Sequence, residues 1–272
     1  MPRHAYDHTG RPVYEITRPT GKVVEPNITD MRKLLLLPGV TEVIRERSSP
    51  FLVKWRVTQA IMSALTLPRI DGESEDQFAA RALEDSEAQA AKARETGSKI
   101  HQALEDFLKG QSYDVAFHPH VAATLQCLHA WSGETQGWKA EHGVAHSCGF
   151  GTKIDAYHPA GFVVDFKCKD FGPTKKAKVK GVEQEVAVKV GDFVYDEHIE
   201  QLAACANALI DMEAQPRGSV KAANIFISTR VPGLVMLHEH EAEDLYWAWR
   251  AFEGRLEAWK GQNRYESGFV RE

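Results

Sequence analysis

The sequence predicts an α/β fold, and three stretches carry that prediction. Residues 150–167 alternate polar and apolar side chains around a Pro/Gly turn, the pattern of a β-hairpin. Residues 96–108 and 195–209 instead repeat apolar side chains at helical spacing. Two later apolar runs, 223–229 and 234–238, read as strands around Pro232-Gly233, and Leu245, Trp249, Phe252, Leu256 and Trp259 form the core stripe of a closing helix.

Before the first of these stretches the chain reads as mostly helical. Leu34–Leu37 is a short core segment, and residues 50–66 suit a helix that ends at Pro68. Asp71-Gly72-Glu73-Ser74 reads as a loop, followed by an Ala/Glu-rich helix over 75–94. Phe78, Leu83 and several alanines give that helix a thin apolar stripe, enough to pack over a core. Lys54, Trp55 and Arg56 are the place to look for a base-stacking contact, although a tryptophan here more readily serves a core.

The 96–108 helix opens at a hydroxyl residue, Thr96, and Gly110 follows its last periodic position. Ile100, Leu104, Phe107 and Leu108 make its buried face, and His101 and Glu105, four residues apart, share a stripe at the edge of that face. Taken alone, the pair is an ordinary surface histidine beside a glutamate.

The hairpin is more specific. Phe150, Ile154 and Ala156 are apolar on the first arm, with Lys153, Asp155 and Tyr157 between and beyond them. Phe162, Val164 and Phe166 are apolar on the second, and Val163, Asp165 and Lys167 take the other face. If the turn His158-Pro159-Ala160-Gly161 centres near Ala160, Asp155 lies directly across from Asp165. Facing side chains stand about 5 Å apart at Cβ, where like charges are destabilising. A divalent cation between the two carboxylates resolves that conflict. A D-x-K triplet alone recurs by chance; the facing aspartate is what gives it weight. Glu141, on what reads as the preceding strand, is a further acidic candidate.

Lys175-Lys176-Ala177-Lys178-Val179-Lys180 follows, suited equally to tracking phosphates and to a solvated lysine loop. Val182, Val186, Val188 and Val190 alternate with polar residues as a small β-extension. On the 195–209 helix His198, Gln201 and Cys205 run along one stripe, with Tyr195 and His198 as possible members of a site. Gln201 has two readings: it orients a phosphate or a metal-bound water, or it caps the edge of the core.

A net charge of −5 does not mark a nucleic-acid binder, so any such surface must be a local patch. Four cysteines without a C-x-x-C pair point to free thiols in a reducing, cytoplasmic setting. No apolar run approaches the ~20 residues of a membrane span, so no membrane association is expected.

In chain order, Gly97-x-x-x-His101, Gly151-Thr152-Lys153-Ile154-Asp155, Asp165-Phe166-Lys167 and the Gln201 helix resemble the PD-(D/E)XK nuclease superfamily, in particular its RecB-like and phage-type exonuclease branch. The resemblance implies a restriction-endonuclease-like core, a mixed β-sheet flanked by helices, over 96–272, with an N-terminal segment and helical extension over 1–95, the whole forming one compact unit. It implies that Asp155 and Asp165, with the Phe166 carbonyl and His101, bind Mg²⁺ or Mn²⁺. Lys167 would polarise the attacking water or stabilise the phosphorane, and Gln201 would be the glutamine of the Q-x-x-x-Y motif. Two positions depart from the family pattern: Cys205 stands where the motif has tyrosine, and Ile154 replaces the proline before Asp155.

The activity implied is metal-dependent hydrolysis of DNA by an exonuclease in recombination, repair or phage DNA processing. Its partners would be linear single- or double-stranded DNA and a single-strand-binding or annealing protein, in a bacterial or phage-infected cell. A structure-specific endonuclease and a non-cutting DNA-binding subunit remain alternatives on the same core. The chemistry is consistent with the residues themselves. Carboxylate oxygens suit Mg²⁺ or Mn²⁺ better than Zn²⁺, such an ion lowers the pKa of its water, and a nearby lysine adds positive charge where the phosphoryl group gains negative charge.

Overall fold

Tyr6 packs so tightly over Gly151 that a Cβ built there would lie 2.4 Å from the Tyr6 Cβ, which ties the start of the chain to the middle of its sheet. The computed structural model describes residues 4–45, 50–179, 182–213 and 220–268. The first part holds short strands β1 (Ala5–Tyr6), β2 (Pro12–Val13), β3 (Ile16–Thr17), β4 (Val23–Val24) and β5 (Leu37–Pro38), with helices α1 (Ile28–Leu34) and α2 (Val40–Ile44). Helices α3 (Pro50–Thr66), α4 (Glu75–Leu108) and α5 (His118–Ser132) follow. Then come β6 (Lys139–His146), β7 (Phe150–His158), β8 (Phe162–Lys169), β9 (Thr174–Val179), β10 (Val182–Ala187), α6 (Asp196–Glu213), β11 (Lys221–Ser228), β12 (Val235–His240) and α7 (Ala242–Gln262).

The central sheet has five strands in the order β12-β11-β8-β7-β6. Strands β6, β7 and β8 form an antiparallel meander, β11 joins β8 in parallel after the α6 crossover, and β12 returns antiparallel. The fold is therefore α/β with a mixed sheet. Apolar side chains leave both of its faces, so both are covered. On one side Phe150, Ile154, Tyr157 and Val163 pack with Leu202 and Cys205 of α6 and with Phe252, Leu256 and Trp259 of α7. On the other, Ala156, Val164, Phe166, Ile225 and Ile227 pack against Ile100 and Leu104 of α4 and Val121 and Leu128 of α5. No helix among the described residues is long and apolar enough to cross a membrane. All four cysteines are free thiols.

Three features differ from the sequence reading. The helices expected over 75–94 and 96–108 are one 34-residue helix, capped at Ser74, whose side chain and that of Gln77 each accept a backbone N–H of the other. Thr96 opens nothing, and the boundary expected near residue 95 falls inside this rod. Gly97 survives mid-helix because α4 crosses β8 closely there: a Cβ would stand 3.1 Å from the Cys168 Cβ. Second, residues 4–44, read only as an N-terminal segment, contribute to the core. Ala5, Met31, Leu36, Val40, Val43 and Ile44 belong to the same core cluster as Phe252 and Trp259. The extension consists of α3 and the part of α4 it packs against, with Val53, Val57, Ile61 and Leu65 all more than half exposed.

Third, the alternation along β7 is interrupted. Phe150 and Ile154 face α6 and α7, but Ala156 faces α4 and α5. The break falls at Asp155, where the ladder to β6 lacks its Glu141 pair and Glu141 takes a left-handed φ of 54°.

Two glycine substitutions test this packing. Gly151→Ala forces Tyr6 off the sheet and should cost about 1–3 kcal/mol in urea unfolding. Gly254→Ala, mid-helix in α7 with open space around it, should instead stabilise by roughly 0.5–1 kcal/mol. A Gly151→Ala protein as stable as the parent would contradict the close approach.

Candidate active site

The β7–β8 turn sets the site. His158 pairs with Phe162, Tyr157 with Val163 and Ala156 with Val164, a register that carries Asp155 opposite Asp165 as the sequence predicts. The ladder stops one step short of that pair. There the Asp155 carboxylate replaces a backbone partner: its Oδ2 accepts the Phe166 N–H at 2.8 Å. Asp155 thus reaches the backbone of the residue next to Asp165 by standing in for the hydrogen bond its own distorted strand does not supply.

Asp165 is buried, at 3% exposure, on the face toward α6. Its Oδ1 accepts from Lys167 Nζ at 2.8 Å, and its Oδ2 from Asn224 Nδ2 at 2.7 Å. Lys167 lies two residues along β8, hence on the same face, and its Nζ also donates to Gln201 Oε1 of α6 at 2.9 Å. Burial raises the Asp165 carboxyl above the usual carboxylate range; Lys167 opposes the rise and Asp155 adds to it. Burial works to lower the Lys167 ammonium, but the charges of Asp165 and Asp155 outweigh it and hold the lysine protonated. His101 comes from α4 on the opposite side of β8. Its Nδ1 is 3.9 Å from Asp155 Oδ2, and its ring meets Phe166 edge-on at 6.0 Å.

Asp155, Asp165, Phe166, Lys167, Gln201 and His101 therefore come together from α4, β7, β8 and α6. Other candidates are engaged elsewhere. Glu105 is ion-paired with Lys109 one turn on, and Glu141 with Lys153 on the neighbouring strand. His198 packs on Phe226 and Tyr195 at 5.7 and 5.2 Å, as a core histidine. Burial, helped by Lys167 and Lys169, holds its pKa down to about 3. The Tyr195 ring lies 5.5 Å below Lys169 Nζ. Cys205 meets Thr152 Oγ1 at 3.4 Å, and burial pushes its thiol up to about 12, so it packs as a small apolar residue beneath the site.

The lysine run is not a loop. It forms β9, and β10 lays acids across it: Lys178 opposes Glu183, Lys176 opposes Glu185, and Lys175 is ion-paired with Asp192. Lys180 lies outside the described residues. Lys54 is exposed on α3, and the side chain of Trp55 lies outside the described residues.

Sequence reasoning missed Asn224, His240 and Lys169. Asn224 had a readable signal, a single amide inside the apolar run 222–227. Lys169 extends the Asp165, Lys167 face of β8 by one more repeat, and burial and Lys167 together lower its ammonium pKa.

The donor set fits a hard divalent cation that retains water. It offers two carboxylates, and Mg²⁺ is ordinarily held by one or two carboxylates with several waters. Among the described residues no three or more histidine, cysteine, aspartate or glutamate side chains converge closely enough to hold a metal ion between them.

No protein family matches the chain, and no curated protein matches it. One solved structure similar to it, from Eubacterium rectale and named "Putative exonuclease", is 12% identical, with a TM-score of 0.41 over 62% of this chain and 68% of that one.

Buried His198 makes stability depend on pH. The unfolded chain takes up a proton on this residue below about pH 6.5, whereas the folded state refuses it until about pH 3. Stability should fall as the pH drops from 6.5 toward 4, by up to about 1.4 kcal/mol per pH unit from this residue. His198→Phe should flatten that slope in urea titrations at pH 4.5 and 7. Parallel curves for the two proteins would contradict the buried, neutral assignment.

Proposed function

We propose that the protein is a divalent-metal-dependent nuclease that hydrolyses DNA phosphodiesters, acting as an exonuclease in recombination, repair or phage DNA processing. The observation that carries this reading is buried Asp165 joined through half-buried Lys167 to Gln201, with Asp155 against the next residue's backbone. Its order along the chain is that of the PD-(D/E)XK motifs, and a restriction-endonuclease-like core is part of the same proposal.

Asp155 and Asp165, with the Phe166 carbonyl and His101 alongside, would hold Mg²⁺ or Mn²⁺. When bound, the ion would supply Lewis acidity toward the phosphoryl oxygens and make a water more acidic. Two carboxylates packed so close repel one another, and Asp155 already disfavours ionisation of Asp165; a cation relieves that directly. Lys167 keeps its proton in this setting, so it serves as a fixed positive charge toward the developing phosphorane rather than as a base. Gln201 holds that ammonium from the α6 side, limiting the directions in which it can swing. Tyr195, His198, Glu105 and Glu141 are left to supporting or structural roles by their contacts. Glu183 and Glu185 across the ladder balance Lys178 and Lys176, and Asp192 pairs with Lys175, which makes the arm a weak phosphate tracker. DNA would instead enter along the face bearing Lys167 and Lys169.

End-labelled linear and closed circular DNA, single- and double-stranded, incubated with Mg²⁺, Mn²⁺ or EDTA, tests the proposal. Linear substrates should be degraded only with metal, and Asp165→Ala and Lys167→Ala should each lose about 100-fold or more of the rate. Nicked circles would reassign the activity to an endonuclease. Undiminished cleavage by both variants, or in EDTA, would overturn the site.

A further inference from the structure

Beside Asp165 the sheet carries a polar pair whose placement goes beyond the motif. Asn224 lies on β11 in parallel register with Asp165, is fully buried, and donates its Nδ2 to Asp165 Oδ2 at 2.7 Å. Asn224 Oδ1 stands 2.7 Å from Nε2 of His240 on β12, which is itself buried. The strands explain the row. Asn224 pairs with His238 and Ala222 with His240, so Asn224 and His240 lie diagonally on the sheet face that also bears Asp165.

With the Lys167 ammonium on the other oxygen, one assignment of hydrogens satisfies every member. An ionised carboxylate only accepts, so the amide nitrogen faces Asp165 and the amide oxygen faces His240. The imidazole must then carry its hydrogen on Nε2. Burial first, and the neighbouring His238 next, hold the His240 pKa down to about 4, so near neutral pH the ring donates while uncharged.

From this geometry we infer that Asn224 and His240 are positioning residues that fix the Asp165 carboxylate plane for cation binding, a role resting on the functional reading above. Lys167 on Oδ1 and Asn224 on Oδ2 leave the carboxylate no freedom to rotate. About four lone-pair directions exist on such a group, and those not used by the two donors then point in set directions. His240 prevents the amide from turning its oxygen toward Asp165, where two acceptors would repel. If the pair served packing alone, its loss would change stability without changing metal affinity.

Two measurements decide it. In long-range ¹H–¹⁵N spectra at pH 7, His240 should be the neutral Nε2–H tautomer. In calorimetric titration with Mn²⁺ and in DNA turnover, Asn224→Ala and His240→Phe should lose about 10- to 100-fold in Mn²⁺ affinity and kcat. KM for DNA should stay within about twofold, the pattern of a lost transition-state interaction. His240→Gln, whose side-chain N–H can still donate to Asn224, should recover most of both losses. Should Asn224→Ala fail to melt cooperatively, the Phe and Gln variants at 240 decide alone. An Nδ1–H tautomer, or folded variants with wild-type kcat and Mn²⁺ affinity, would overturn the inference while leaving the nuclease reading standing. A wild-type protein that neither cuts DNA nor takes up Mn²⁺ would overturn the nuclease reading, and this role with it.

Discussion

A carboxylate with almost no access to water, carried in the middle of a sheet, is the constraint around which this molecule is organised. Asp165 cannot be ionised there unless its neighbours supply charge and hydrogens, and each neighbouring element contributes one. Strand β8 returns Lys167 to the same face, β11 brings Asn224 into parallel register, and α6 lays Gln201 over the lysine. Removing one partner of such a buried pair typically costs about 3–5 kcal/mol, because the other is left uncompensated. A well-packed apolar pair of similar size would serve stability as well. The proposed chemistry supplies a reason for the arrangement that stability does not.

Asp155 shows the same economy in backbone terms. At that residue β7 loses its ladder pair with Glu141 and changes which face its side chains take. The carboxylate then fills the missing place by accepting the Phe166 N–H. Local distortion and the approach of two acids are thus one event. The left-handed Glu141 on the adjacent strand is where the backbone accommodates it.

Much of this was readable from the chain, and the exceptions have identifiable causes. The hairpin register followed from the turn at 158–161, because the pairing of two strands across a short loop is determined by where the loop is centred. The helices carrying His101 and Gln201 followed from apolar spacing. Periodicity failed where an interruption is set by tertiary contact. Nothing local to Ile154 and Ala156 reveals that they face opposite layers. Thr96 looked like the start of a helix because a hydroxyl residue commonly caps one, and only the approach to Cys168 explains a glycine at 97 inside the rod. The lysine run read as a basic loop because its balancing acids, Glu183 and Glu185, are revealed only by pairing. Asn224 and His240 are 59 and 75 positions from Asp165, so only the β8-α6-β11 crossover and the hairpin return of β12 bring them to it.

The proposed activity requires Asp155 and Asp165 to share one ion beside Lys167. Crystals soaked in Mn²⁺ and measured for anomalous scattering address that most directly. A single strong peak is expected within coordination distance of both carboxylates and the Phe166 carbonyl. A peak bound elsewhere, or none at saturating Mn²⁺ with both carboxylates ordered as described, would contradict it.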